Sequence, residues 1–324
     1  MTKNNNLPLQ RKLSRYVARH AHDRIFALAA LALLGWTGSW HWIPELFSHF
    51  FFQYAALCAL LVPFVLYSRA GFWRWAALAV TILIWGMLLP FWRPAGVADP
   101  KPRSRLTLLQ FNAAQNTAPL AHWLVSQRTA ADVVLVLEAD PSFAATHAAL
   151  AGEYPHHIES LMDGPFGIAL LSRHPLVDAR ILEVIGPEFP AIEASVVLPG
   201  GALRLVGIHP PPPIGKTLAA LRNRFMEKLP AYLDAGTPTV VFGDFNATSW
   251  SPHLRAFMRA TGLEDAQRGQ GIVTTWPAFA ARHSSMFGLP IDMTLVSPAL
   301  FVEECRAGPF LKSDHLPVLT RIAY

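Results

Sequence analysis

Eight polar side chains stand at the edges of apolar runs in this chain: Asn112, Glu138, His209, Asp244, Asn246, Asp292, Asp314 and His315. Carboxylates and amide oxygens are hard donors that suit Mg2+ or Mn2+. An ion so held polarises a phosphoryl oxygen and steadies a leaving group, while histidines transfer protons or stabilise charge growing on a phosphate. No serine or cysteine on an obvious nucleophile elbow competes with that chemistry.

Taken singly, each residue has an ordinary reading. Gly-Asp-Phe-Asn at 243–246 supplies turn geometry, Ser-Asp-His at 313–315 suits a turn with a cap, and Asn112 alone is a cap or turn residue. Glu138 is harder to set aside, because a carboxylate ending a buried strand needs a partner. His209 precedes Pro210–Pro213, a run that fixes a loop whether or not the imidazole meets substrate. Ser172, Arg173 and Trp276 read as core or rim structure, and His156, His157 and His283 as surface residues.

Position gives the set its meaning. From Leu106 the chain alternates β-like runs (LTLLQFN, VVLVLEA, GIALLSR, AIEASVVLP, LRLVGIHP, TVVFGDFN, IDMTLVS, VLTRIAY) with helical ones (APLAHWLVSQ, SFAATHAALA, TLAALRNRFMEKLPAYLDA, SPHLRAFMRA). Apolar strand cores of this kind predict an α/β domain with sheets buried on one or both faces. Asn112, Glu138, His209, Asp244 and Asn246 close strands, Asp292 opens one, and Asp314–His315 precede the last. Polar groups at strand ends converge on one rim, the usual way such a scaffold builds a site.

The ordered series QFN, LEAD, GIALLSRHP, GIHP, GDFNA, IDMTLVS and SDHLPV, spread over Leu106–Tyr324, resembles the endonuclease/exonuclease/phosphatase superfamily. The resemblance implies a DNase I-like α/β fold, a four-layer sandwich of two mixed β-sheets flanked by helices. It implies Glu138 as principal metal ligand with Asn112 beside it and Asp314 completing the metal side. Asp244 would orient or activate the attacking water, and Asn246 would hold phosphate and water. His315, positioned by Asp292, would contact the scissile phosphate, and His209 would stabilise the transition state or assist the leaving group. Between His315 and Asp244 the role of base stays open. The chain departs from the pattern at Phe111, where many relatives carry Trp, and at Met293, where nucleases and phosphatases often place His or Tyr.

The N-terminal third differs in kind. The 324-residue chain is 52% hydrophobic and 15% charged, and between Arg24 and Trp92 its only charges are Glu45, Arg69 and Arg74. Three apolar stretches, Ile25–Ile43, Phe50–Tyr67 and Phe72–Phe91, approach the roughly 20 residues a helix needs to cross a bilayer. The sequence thus predicts a basic cytoplasmic tail (1–24), a three-helix transmembrane anchor (25–92), a Pro-rich linker (93–104) and a catalytic domain (105–324). A cleaved signal peptide or a buried helical bundle are the competing readings of the first run. Lys3, Arg11, Lys12, Arg15, Arg19, Arg24, Arg69 and Arg74 outnumber Arg93, Lys101, Arg103 and Arg105, which by the positive-inside rule places the catalytic domain outside the cytoplasmic membrane.

Charge divides along the same line. Up to Arg103 there are 11 Lys/Arg against 3 Asp/Glu (+8), and from Ser104 there are 16 against 19 (−3), within a total of +5. The basic excess belongs to the anchor, whereas a nuclease domain normally clusters cations near its site. The expected protein is a multi-pass membrane phosphoesterase using Mg2+ or Mn2+, with the bilayer and a phosphorylated, lipid-linked or envelope substrate as partners. A nuclease acting on nucleic acid is the first alternative and a non-catalytic membrane-held binding module the second. The two cysteines, Cys58 and Cys305, imply neither a disulfide framework nor a zinc cluster.

Overall fold

A computed structural model of the protein describes residues 9–68, 71–93, 102, 104–127, 131–199, 201–234 and 236–323. The chain divides into two compact units, Met1–Leu89 and Pro90–Tyr324. Most of the predicted linker lies outside the described residues.

The second unit holds twelve strands among its described residues: β1 (Arg105–Asn112), β2 (Val133–Leu137), β3 (His156–Ser160), β4 (Ile168–Ser172), β5 (Leu176–Leu182), β6 (Ala191–Leu198), β7 (Gly201–Ile208), β8 (Thr239–Asp244), β9 (Glu264–Asp265), β10 (Asp292–Val296), β11 (Phe301–Ala307) and β12 (Val318–Ala323). They form two mixed six-stranded sheets, ordered β11-β12-β1-β2-β4-β3 and β5-β6-β7-β8-β10-β9. The eight runs expected as strands are strands. Of the others, β3, β5 and β11 are half-exposed or exposed along most of their length, so their sequences lack a strong apolar signal.

Alternation along the strands explains the layering. Leu106 and Leu108 of β1, Leu135 of β2 and Phe242 of β8 point into one core between the sheets. Leu109 and Phe111 of β1 face the opposite way, into a core shared with Leu120, Leu124, Phe143 and Leu150. Those residues come from the outer helices Ala118–Gln127 and Phe143–Leu150. On the far side, Val241 of β8 and Met293 of β10 join Phe225, Leu254 and Phe257, from the helices Gly215–Lys228 and Pro252–Thr261. The result is helix, sheet, sheet, helix. The helix expected through 235 leaves regular α geometry after Lys228, with a tighter turn over Leu229–Tyr232 that contains Pro230.

The first unit corrects the expected anchor. One helix runs from Leu9 to Trp36, through the tail and into the first apolar stretch. Only Ile25–Trp36 of it lies beyond the last charge, too short at about 1.5 Å per residue to cross about 30 Å of hydrocarbon. The chain then turns at Thr37–Ser39 and re-enters a short helix, Trp42–Ser48. Among the described residues a single helix, Phe72–Phe91, is long and apolar enough to span a membrane by itself. Trp42–Ser48 and Phe51–Tyr67 meet that test only together, across a 51° bend. Three spans are therefore reduced to one, or two if the bent pair counts as one. Within this unit Trp85 Nε1 donates to the Ala55 carbonyl at 2.9 Å, tying Phe72–Leu88 to Phe51–Tyr67.

Candidate active site

Strand pairing brings the predicted residues to one rim. Asn112 is in register with Leu137, so Glu138 emerges beside it, and Asp292 lies directly opposite Asp244 across the antiparallel β8–β10 pair. His209 follows Ile208, which is in register with Gly243. Gly243 has φ +142°, and a Cβ there would sit 2.0 Å from the Ile208 carbonyl oxygen, so the residue preceding Asp244 has to be glycine. Glu138 (φ +56°) and Asn246 (φ +48°) hold left-handed backbones without being glycine, a strain of about 1–3 kcal/mol each that clusters at functional sites.

Asn112 sits at the centre. Its buried amide nitrogen donates to Glu138 Oε1 at 3.0 Å and to Asp244 Oδ2 at 3.3 Å, while its Oδ1 accepts from the Ala114 N–H at 3.1 Å. Asp244 also accepts from the Asn246 N–H at 2.8 Å. His315 Nδ1 lies 2.8 Å from Asp292 Oδ2, which Thr275 also approaches through its hydroxyl. The second ring nitrogen of His315 is 3.8 Å from Asp244 Oδ2, and His209 Nε2 is 3.6 Å from the same oxygen. Asn246 donates its amide to the Pro210 carbonyl at 3.0 Å, joining the loop after β8 to the loop after β7.

Burial sets the electrostatics. It pushes Asp244 well above the usual carboxylate range, aided by the Asp292 charge opposite, and it raises Glu138, against the Asn112 hydrogen bond. The His209 imidazole is driven down to about 3 by burial and by the His315 charge, so it is neutral. Burial opposes charge on His315 as well, but Asp292, Asp244 and Asp314 together outweigh it and hold the ring up to about 10. At neutral pH the cluster thus contains one internal cation among several carboxylates. Oxygen donors of this kind in a buried pocket with an excess of negative charge fit a hard divalent cation. Asp244, Asp292 and His315 offer donor atoms within 4.8 Å of one another.

Asp314 takes a different place from the rest. Its side chain is exposed and accepts from the Trp276 indole N–H at 3.1 Å, so it borders the cluster and influences Glu138 and His315 through charge alone. Met293 is fully buried, within 3.4 Å of the Ser249 hydroxyl, so the departure at that position falls in the core beneath the rim. Ser172 and Arg173 are structural, bonded to the His174 carbonyl and to Glu153.

Several residues escaped the sequence reading. Ser313 donates to the Asn112 carbonyl at 2.7 Å and accepts from the His315 N–H at 3.0 Å, fixing the loop that carries His315. Arg222, fully buried, reaches the Asn246 carbonyl at 3.0 Å; its signal was a charge on the apolar face shared with Ala219, Phe225 and Met226. Phe166 packs 5.5 Å from His209 and 4.7 Å from Phe189, giving that side of the site an aromatic wall.

A profile of the Endonuclease/Exonuclease/phosphatase family matches residues 109–315, and the chain belongs to that family. It is a metal-dependent hydrolase of phosphoester bonds. Among solved structures it is similar to an endonuclease/exonuclease/phosphatase from Beutenbergia cavernae (21% identity, TM-score 0.58, covering 68% of this chain and 72% of that one). It is also similar to a 3'-5' exonuclease from Neisseria meningitidis (18%, 0.56, 68% and 100%) and to sphingomyelinase C from Streptomyces griseocarneus (17%, 0.50, 68% and 100%). These likenesses establish the DNase I-like fold. No curated protein sequence matches the chain.

The ionisation of His315 has a measurable consequence. Its folded pKa, about 10, lies above the ordinary 6.5, so the stability it contributes is complete below about pH 6.5 and is lost as pH rises through about 10. In metal-free buffer the melting temperature of the full chain should fall over that window, and His315→Gln should flatten the fall. An unchanged slope in the variant would contradict the assignment of charge to His315.

Proposed function

We propose that the chain is a membrane-anchored phosphoesterase that uses Mg2+ or Mn2+ on an envelope or lipid-linked phosphate. The observation that carries the catalytic part is the single rim on which Asn112, Glu138, His209, Asp244, Asp292 and His315 meet. Glu138 and Asn112 would hold the cation, with Asp314 at the edge. When bound, the ion supplies a Lewis acid at a phosphoryl oxygen. His315, kept cationic and oriented by Asp292, faces the phosphate as an electrostatic clamp. That leaves Asp244 as the base. The water oxygen attacks phosphorus, its proton passes to Asp244, and the P–O bond to the leaving group breaks with its electron pair on the departing oxygen. Asn246 positions phosphate and water, and neutral His209 donates to the charge that grows in the transition state.

The rim favours a lipid-linked substrate. Trp276, bonded to Asp314, begins a segment with exposed Phe279 and Phe287, and Phe310 is exposed just before His315. Aromatic rings in such a place suit a lipid interface, and the mildly acidic stretch from Ser104 onward lacks the cationic excess of a nucleic-acid binder. Relatives of the same fold carry names of both kinds, exonuclease and sphingomyelinase, so the preference for a lipid-linked substrate rests on the rim and the charge. With Mg2+, the full chain should release phosphate or head group from lysophospholipid or undecaprenyl pyrophosphate and leave plasmid DNA intact. Efficient nicking of DNA with no release from lipids would overturn this substrate class.

For the anchor, the bent pair Trp42–Ser48 and Phe51–Tyr67 acts as a re-entrant loop, which keeps Arg69 and Arg74 on the cytoplasmic side with the basic tail. Phe72–Phe91 then crosses once and carries the catalytic unit out of the cytoplasm. A phosphatase reporter fused after Tyr324 should be active; a reporter active only in cytoplasmic form would refute the orientation.

A further inference from the structure

His147, His157 and Glu159 form a second cluster of donor atoms, all within 4.8 Å of one another. His147 lies in the last turn of the helix Phe143–Leu150. His157 and Glu159 are two apart on β3 and share one face of the sheet, since their register partners Leu171 and Ala169 both belong to the core beneath that helix. The rings of His147 and His157 are 4.0 Å apart, and Phe143 lies parallel to the His147 ring at 6.4 Å. Glu159 Oε2 is buried and has no hydrogen-bond partner among the described residues. A buried carboxylate oxygen without a partner is costly, and a cation held jointly with the two neighbouring imidazoles would supply the missing interaction.

We infer that His147, His157 and Glu159 bind a zinc-type ion, at a site separate from the catalytic rim. Two imidazole nitrogens with one carboxylate suit Zn2+ and are poor donors for Mg2+, which prefers oxygen alone. With bonds of about 2.0–2.1 Å a tetrahedral zinc needs its ligands roughly 3.4 Å apart, so donor atoms that lie within 4.8 Å of one another would draw together on binding. Water completes the coordination. The ion clamps the edge strand β3 to the helix that begins shortly after Glu138, and Thr146 on that helix bonds Thr117 at 2.7 Å in the loop after β1. The site therefore braces the half of the rim that carries Asn112 and Glu138, without contributing a ligand to it.

The test counts zinc on the full chain in detergent, in a Glu138→Gln/Asp244→Asn background that disables the catalytic cluster. That protein should keep one zinc ion per chain after dialysis against zinc with excess Mg2+, and zinc should raise its melting temperature. His157→Ala or Glu159→Gln should weaken zinc by about tenfold or more, since loss even of a residue supporting a ligand costs 10–100-fold. Either change should abolish the zinc-dependent rise and leave the zinc-free melting temperature in place. In the otherwise wild-type chain His157→Ala should remove one zinc equivalent, which keeps the result independent of the background. Retention of the same zinc by His157→Ala and Glu159→Gln, or no zinc on the background protein, would overturn the inference.

Discussion

Asp244 and Asp292 face each other at the ends of two paired strands, both buried, in an arrangement that Coulomb repulsion opposes at every pH where both are ionised. What makes it tenable is His315, whose Nδ1 lies 2.8 Å from Asp292 and whose other nitrogen faces Asp244 at 3.8 Å. The rest of the site is arranged around that balance. Asn112 spreads its amide between Glu138 and Asp244, Thr275 supports Asp292, and Ser313 fixes the loop that presents His315. A residual negative charge persists, which is what a divalent cation would neutralise.

The same balance distinguishes two histidines that look alike in sequence. His209 is buried beside Phe166 and near the His315 charge, and stays neutral. His315 is equally enclosed but ringed by carboxylates, and stays charged. Two imidazoles within reach of one Asp244 oxygen can therefore divide their roles, one as cation and one as neutral donor.

The convergence on one rim was legible in the sequence because a polar residue ending an apolar strand is conspicuous, as at Asn112, Glu138 and Asp244. The supports were not. Ser313 and Thr275 act through single hydroxyls with no pattern around them, and Arg222 became meaningful only once its helix was seen to bury that face. Asp314 adjoins His315 in sequence, but its carboxylate turns outward to Trp276, so it borders the cluster of buried groups. Half-exposed β3 and β5 lacked an apolar stripe, so the edges of both sheets were invisible. In the first unit composition located the apolar stretches, but helix length depends on where the chain turns. The break at Thr37–Ser39 removed a span that residue content alone had suggested.

The most direct test of this account is the release of p-nitrophenol from bis-p-nitrophenyl phosphate by the full chain. Turnover should require Mg2+ or Mn2+, stop with a chelator, and fall by about 10²–10⁴-fold in Glu138→Gln and Asp244→Asn with the fold intact. Turnover that persists in chelator, or that is the same in both variants as in the parent, would contradict the proposed site.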